Sequence, residues 1–132
     1  MNQTIRILIL EDDLKTIEAL MGKLAVLEEA IYSKDLAVTV LAEYTQVEEY
    51  VNKKNAQDFD IILLDRDCKA CGSFHVLDFA KFGVDKIISI SSTPEWNEEA
   101  KARGVTRIVH KDYENLDLFA DKVIEQIKIL IT

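Results

Sequence analysis

Asp60-Ile61-Ile62-Leu63-Leu64-Asp65-Arg66-Asp67 is the stretch on which the fold turns. Four apolar residues in a row, bounded by acids, fit a short strand buried on both faces of a parallel sheet. A carboxylate just past such a strand stands at its C-terminal mouth, where open α/β sheets collect ligands and chemistry. Two other stretches repeat the pattern. Ile5-Arg6-Ile7-Leu8-Ile9-Leu10 runs into Glu11-Asp12-Asp13, and Ile87-Ile88-Ser89-Ile90 runs into Ser91-Ser92-Thr93. Laid side by side and parallel, the three strands bring acids and hydroxyls to one edge.

Outward from these strands, the sequence alternates strand and helix. Ile5–Leu10 is the first strand. A helix follows over about Leu14–Ser33, with Asp13 as N-cap and an apolar stripe of Ile17, Leu20, Met21, Leu24 and Leu27 or Ile31. Ala37–Leu41, rich in β-branched residues, is the second strand. Thr45 and Glu48 form a capping-box pattern that opens a short helix to about Lys54, with Val47, Tyr50 and Val51 inward. After the third strand, Ile61–Leu64, Gly72-Ser73 turns into a helix over Phe74–Phe82 ended by Gly83. The fourth strand is Lys86–Ile90. Thr93-Pro94 starts a helix that runs to about Arg103 and stops at Gly104. The fifth strand is Thr106–Val109, followed by Lys111. The last helix, Leu116–Leu130, buries Leu116, Phe119, Val123, Ile127 and Leu130.

Such alternation implies right-handed crossovers and a parallel sheet covered on both faces. The six-strand dinucleotide order and the five-strand flavodoxin-like order 2-1-3-4-5 both satisfy it, and five βα units favour the second. That order sets the first, third and fourth strands together. The predicted fold is therefore an α/β three-layer sandwich of the flavodoxin-like (βα)5 type, one domain over residues 1–132.

A net charge of −8 argues against binding nucleic acid or an anionic membrane through a broad basic face. No apolar run reaches the length of a membrane span, and Ile5–Leu10 is too short and too quickly followed by acids for a signal peptide. Two cysteines three residues apart make no disulfide framework. A cytoplasmic protein is expected.

The strand mouths would gather Glu11, Asp12 and Asp13 after the first strand and Asp65 and Asp67 after the third. Ser91 follows the fourth and Lys111 the fifth. Several carboxylates within a few ångströms repel one another, and a hard divalent cation such as Mg2+ relieves that repulsion. An ammonium and a hydroxyl add donors for anionic oxygens. Together these groups make a phosphoryl-transfer site with a carboxylate as nucleophile.

On Ile7-Leu8-Ile9-Leu10-Glu11-Asp12-Asp13, Ile61-Ile62-Leu63-Leu64-Asp65, Ser91-Ser92 and Gly104 followed by Val109-His110-Lys111, the chain resembles the receiver domains of two-component response regulators along its whole length. The resemblance implies that Asp65 is the phosphoacceptor. It implies that Asp12 binds Mg2+ directly, Glu11 through water, and Asp67 through its backbone carbonyl. Ser91 would bind a phosphoryl oxygen, and Lys111 would pair with the free or phosphorylated aspartate. The acid pair is alternatively Asp12-Asp13; Glu11-Asp12 is preferred because it keeps Ala19 and Leu20 in the family's helical phase. The implied donor is a sensor histidine kinase or a phosphotransfer protein. Slow autodephosphorylation would follow, at a rate set by water access to Asp65 and by the Asp67 side chain. The output would be altered partner binding at the face of the fourth helix, fifth strand and fifth helix.

Four departures bear on how a signal would leave the domain. Asp112 stands where the family usually has a proline after the lysine. Ile108 stands where a switch aromatic is common. The fourth helix is about two residues short, and the loop after Asp65 reads Cys68-Lys69-Ala70-Cys71 without its customary proline.

Other features have sharp and plain readings. Cys68 and Cys71, with His75 and His110, suggest zinc or a redox switch, whereas the plain reading is two small thiols in a loop. Trp96 is either a partner-contact aromatic or a core-edge residue on the fifth strand. Leu118, Ile124, Ile129 and Ile131 lie off the last helix's main stripe and suggest a homodimer or partner face. Three alternative functions remain open. One is a phosphorylation-independent receiver. The second is a haloacid-dehalogenase-like phosphatase with Asp65 as nucleophile and Asp67 as general acid. The weakest is a Toprim-type metal site of Glu11, Asp65 and Asp67.

Overall fold

The protein is described by a computed structural model covering residues 3–69 and 71–132; Met1, Asn2 and Ala70 lie outside the described residues. In chain order the elements are β1 (Gln3–Leu10), α1 (Leu14–Ala30), β2 (Lys34–Leu41), α2 (Tyr44–Glu49), β3 (Ile61–Leu64), α3 (Phe79–Phe82), β4 (Ile87–Ser89), α4 (Pro94–Ala102), β5 (Arg107–Ile108) and α5 (Leu116–Ile131). Short 3-10 turns at Val51–Lys53, Ala56–Asp58, Phe74–Val76 and Val84–Lys86 link them. The strands form one parallel sheet of order 2-1-3-4-5, as the sequence predicts.

Alternate residues of the buried strands feed two apolar layers. Ile7, Ile9, Ile61, Leu63 and Ile88 face Leu20 and Leu24 of α1 and Phe119, Val123 and Ile127 of α5. Leu8, Leu10, Ile62, Leu64 and Ile87 face Val47, Val51, Phe74, Phe79 and Ala100. Register then levels the strand ends. Leu10 pairs with Leu64, Leu64 pairs with Ser89, and the Lys111 N–H bonds the Ser91 carbonyl. Glu11, Asp65, Ser91 and Lys111 are thus delivered to one edge by strand pairing alone. Among the described residues, no helix is long and apolar enough to cross a membrane.

Several local expectations are corrected. α1 ends at Ala30, and Met21 of its expected stripe is exposed. α2 starts two residues early, with Glu43 at its N-cap making no side-chain bond, so Thr45 sits inside the helix and the capping box does not form. The helix stops at Glu49 and the chain tightens into a 3-10 turn, which leaves Tyr50 exposed while Val47 and Val51 stay buried. Thr93 occupies the N-cap of α4, but its side chain makes no capping bond. β5 is shorter than expected, although the ladder continues through the Val109 N–H to the Ser89 carbonyl. In α5, Ile124 and Ile131 are buried, so the off-stripe excess is Leu118 and Ile129 alone.

The helix expected over Phe74–Phe82 is broken. Ser73 caps a 3-10 turn, Leu77 is extended, and Asp78 caps the single turn of α3 by accepting from the Lys81 N–H. Asp favours such caps over helix interiors because its carboxylate competes for backbone N–H groups. The backbone groups freed by the break find side-chain partners. Asn52 bonds both the Val76 carbonyl and the Asp78 N–H, at 2.9 Å each, and Arg103 bonds the His75 carbonyl at 2.8 Å. The β5–α5 turn lacks the family's proline and is built on Asp112. Its carboxylate accepts the Glu114 N–H and its carbonyl the Asn115 N–H, after which Asn115 caps α5.

Gly72 fixes the loop that follows Asp65. Its φ is +83°, and a Cβ there would lie 2.4 Å from the Tyr44 ring. We expect Gly72→Ala to destabilise the protein by about 2–3 kcal/mol in urea unfolding, combining left-handed strain of roughly 1–2 kcal/mol with the clash. In a Tyr44→Ala background the cost should fall to the strain alone. An equal cost in both backgrounds would contradict this packing.

Candidate functional site

The first acid of the site is the most confined. Glu11 follows β1 and is 0 % exposed. One of its oxygens, Oε2, accepts the Asp12 and Asp13 N–H groups at 3.0 and 3.1 Å. The other pairs with the Lys111 ammonium, which is itself 2 % exposed. Lys111 also reaches Asp65 Oδ2 at 3.5 Å. Burial pulls the Lys111 pKa down, but the Glu11 and Asp65 carboxylates outweigh it and hold the value above normal, so the amine stays charged.

Asp65 follows β3 and is 7 % exposed. Burial, followed by the charge of Glu11, pushes its pKa up to about 7, against the opposing pull of Lys111. A single ammonium therefore serves two buried carboxylates. Oxygens of Glu11, Asp12 and Asp65 all lie within 4.8 Å of one another, the one such group of potential metal ligands among the described residues. Asp13 lies outside it. Its carboxylate accepts the N–H and hydroxyl of Thr16 at 3.0 and 2.6 Å, and that hydroxyl bond lowers its pKa. This geometry favours Glu11-Asp12 over Asp12-Asp13 as the acid pair.

Ser91 is buried after β4. Its hydroxyl oxygen accepts the Thr93 N–H at 3.2 Å, which leaves its own O–H free to donate. The residue is held by Asn97, which the sequence analysis missed. Asn97 Nδ2 donates to the Ser91 carbonyl, and its Oδ1 accepts from the Ser91 N–H and the Ser89 hydroxyl, the last at 2.7 Å. A polar residue at an inward position of α4 was the available signal.

Asp67 lies in an antiparallel bridge with Ser73 flanked by the Phe74 N–H to Arg66 carbonyl and Cys68 N–H to Gly72 carbonyl bonds. In a pair of this kind the residue's own N–H and C=O turn away from the partner strand. The Asp67 carboxylate accepts from Arg66 Nη1 at 2.8 Å and from Trp96 Nε1 at 2.9 Å. Trp96 therefore points its polar end at this loop, where the sequence offered a partner surface or β5. A general acid would need that carboxylate free to protonate a leaving group, which weighs against the phosphatase alternative.

Asp12, Asp65, Asp67, Ser91 and Tyr113 line a solvent-connected cleft of about 230 Å³ together with Cys68. The Lys69 N–H bonds the Asp12 carboxylate, so the loop also touches the acid pair. Both cysteines are free thiols; Cys68 is half-buried, and burial pushes its pKa up to about 11. His75 is buried and bonded to Glu99 at 3.1 Å. Among the described residues no metal-capable group contains a cysteine or histidine. Ile108 is half-buried against the second apolar layer.

The donor set fits a hard divalent cation. It is all oxygen, it carries more negative charge than Lys111 offsets, and it leaves Asp65 poorly stabilised as an anion. A raised Asp65 pKa also makes a sign-specific stability claim. Protons bind Asp65 more tightly in the folded chain than in the unfolded one. This contribution to stability is full below the unfolded carboxylate range and is lost as pH rises through about 7. In EDTA, Asp65→Asn should therefore exceed the wild type in stability by about 1–3 kcal/mol at pH 8, and the gap should close toward pH 4.5. Urea unfolding across that range checks this; a gap independent of pH would contradict it.

No family model matches the sequence, and no curated protein matches it. Solved structures do match. One is the phosphorylated cyanobacterial phytochrome response regulator RcpA, with a TM-score of 0.68 at 18% identity over 96% of this chain and 94% of that one. A response regulator receiver domain from Rhodospirillum rubrum matches with a TM-score of 0.64 at 12% identity over 97% and 96%. The bacteriophytochrome response regulator RtBRR matches with a TM-score of 0.58 at 23% identity over 100% and 80%. The chain has the fold of the response regulator receiver domains.

Proposed function

We propose that residues 1–132 form a receiver domain that accepts a phosphoryl group on Asp65 and signals through altered partner binding. The observation that carries this reading is the Asp65 carboxylate itself. It is buried at the mouth of the central strand, beside Lys111 and the acid pair, and it borders a cleft open to solvent.

An Asp65 oxygen would attack the phosphorus of a phosphohistidine on a sensor kinase or phosphotransfer protein. The P–N bond breaks as the P–O bond forms, and the imidazole leaves with the electron pair and takes up a proton. Water later attacks the phosphorus of the aspartyl phosphate, releasing inorganic phosphate and restoring the carboxylate. Asp12, Asp65 and the Asp67 carbonyl would hold Mg2+, with Glu11 acting through water. When bound, Mg2+ would supply the positive charge that keeps Asp65 ionised and offsets the phosphoryl oxygens. The Lys111 ammonium would hold one phosphoryl oxygen and the Ser91 hydroxyl would donate to another. The donor and the downstream partner are proteins, and the face of α4, β5 and α5 offers the exposed Leu118 and the half-buried Ile108 to the latter or to a second copy. A cytoplasmic setting, where such donors reside, is part of this proposal.

With Mg2+ and acetyl phosphate, the intact mass should rise by about 80 Da, the increment of one phosphoryl group. EDTA or Asp65→Asn should abolish the rise. Ser91→Ala should slow uptake by on the order of a hundredfold, the scale for losing one preorganised donor. Absence of uptake in the wild type would favour the phosphorylation-independent receiver. Steady turnover of a simple phosphate ester would favour a phosphatase.

A further inference from the structure

The contacts of Arg66 and Asp67 join the acceptor loop to α4 on one helical face. Trp96 and Glu99 are three residues apart, so both project from that face. Trp96 donates its indole N–H to Asp67, at 2.9 Å, and the Arg66 guanidinium lies 3.8 Å above its ring. One Glu99 oxygen forms an ion pair with Arg66, 3.4 Å from a buried Nε that makes no hydrogen bond, and the other bonds His75 Nδ1 at 3.1 Å. Arg66 closes the circuit by bonding Asp67 at 2.8 Å. The two residues immediately after Asp65 are therefore fixed to α4 at successive turns. Asn97, between them in sequence, fixes the same helix to the end of β4.

We infer that Arg66 and Trp96 are positioning residues that couple occupancy of the metal site to α4 through Asp67. The inference rests on the receiver reading above. Asp67 has two working ends. Its backbone carbonyl, turned away from Ser73, is the group that the receiver reading assigns to the cation, and its carboxylate is gripped by Arg66 and Trp96. The grips hold the residue in one conformation before a cation arrives, which spares the loop an ordering cost on binding. Coupling of this kind is reciprocal: if α4 supports cation binding, cation binding must stabilise α4 in the position seen here by the same factor. The route needs no switch aromatic, and Ile108 occupies the place where one would act.

The size of the effect is bounded by exposure. Asp67 is largely solvent-accessible and water screens the charge-assisted part of its contacts. Outer-shell partners of metal ligands commonly change affinity by about tenfold or more, so a loss of roughly threefold to tenfold is expected here.

The test is calorimetric titration of the full chain with MgCl2, with no phosphodonor present. Trp96→Phe keeps an aromatic ring and loses the N–H; Arg66→Gln loses the charge and the stacked guanidinium. Both should weaken Mg2+ binding by roughly threefold to tenfold. Glu98→Gln, on the outward side of α4 and paired with Lys101, should bind as the wild type does. Asp67→Ala keeps the carbonyl and loses both grips, so it should reproduce the loss even if one of the other variants fails to fold. In the wild type the fluorescence of Trp96, the sole tryptophan, should also shift with Mg2+, and the shift should be smaller in Asp67→Ala. Wild-type affinity in Trp96→Phe, Arg66→Gln and Asp67→Ala would overturn this inference and leave the receiver reading standing. No Mg2+ binding by the wild type would overturn both.

Discussion

Everything at the functional edge depends on one buried ammonium. Lys111 sits between Glu11 and Asp65 with almost no access to water. Removing a charge from water costs several kcal/mol, and only close partners offset it. The three strands that carry these residues are consequently locked in register: a slip of one residue in β1, β3 or β5 would strand a charge in the apolar interior. Satisfaction is nevertheless incomplete. Glu11 takes the closer contact and two backbone N–H groups besides, while Asp65 is left with a longer ion pair and a pKa near 7. One cation thus serves two acids, Glu11 held by backbone N–H groups in full burial and Asp65 at the cleft, where burial and the charge of Glu11 raise its pKa.

Much of this was legible in the sequence. Ile61–Leu64 bounded by acids reads as a central parallel strand, and acid, acid, hydroxyl and lysine after the first, third, fourth and fifth strands point to the one edge where the structure places them. Such signals are local and covalent: each group stands one to three residues past a strand, so any parallel sheet of this order brings them to one edge. What the sequence concealed depends on contacts between distant segments. Nothing near Phe74–Phe82 announces a break, because the partners that satisfy it are Asn52 and Arg103. Trp96 reads from the sequence as surface or core edge because its partner, Asp67, lies 29 positions away. The capping box at Thr45 misses by two residues, where Tyr44 packs its ring on Gly72 and begins the helix early.

The departures from the receiver pattern also look less disruptive in three dimensions. The turn after Lys111 keeps its direction through hydrogen bonds of Asp112, and β5 keeps its ladder through Val109. The loop after Asp65 dispenses with proline because Gly72, the Asp67–Ser73 bridge and the grips from α4 order it instead. Chemistry and communication are thereby divided among different residues. Lys111 and the acid pair stand beside the Asp65 carboxylate and Ser91 shares its cleft, while Arg66, Asp67 and Trp96 link the loop after it to α4.

The most direct measurement is the position of the covalent bond. The protein would be incubated with Mg2+ and acetyl phosphate, reduced with borohydride, which converts an aspartyl phosphate to homoserine, and mapped by peptide mass spectrometry. The account predicts homoserine at position 65 and nowhere else. Homoserine at another acid, a phosphoryl group stable to reduction on Ser91, or an unmodified chain would contradict it.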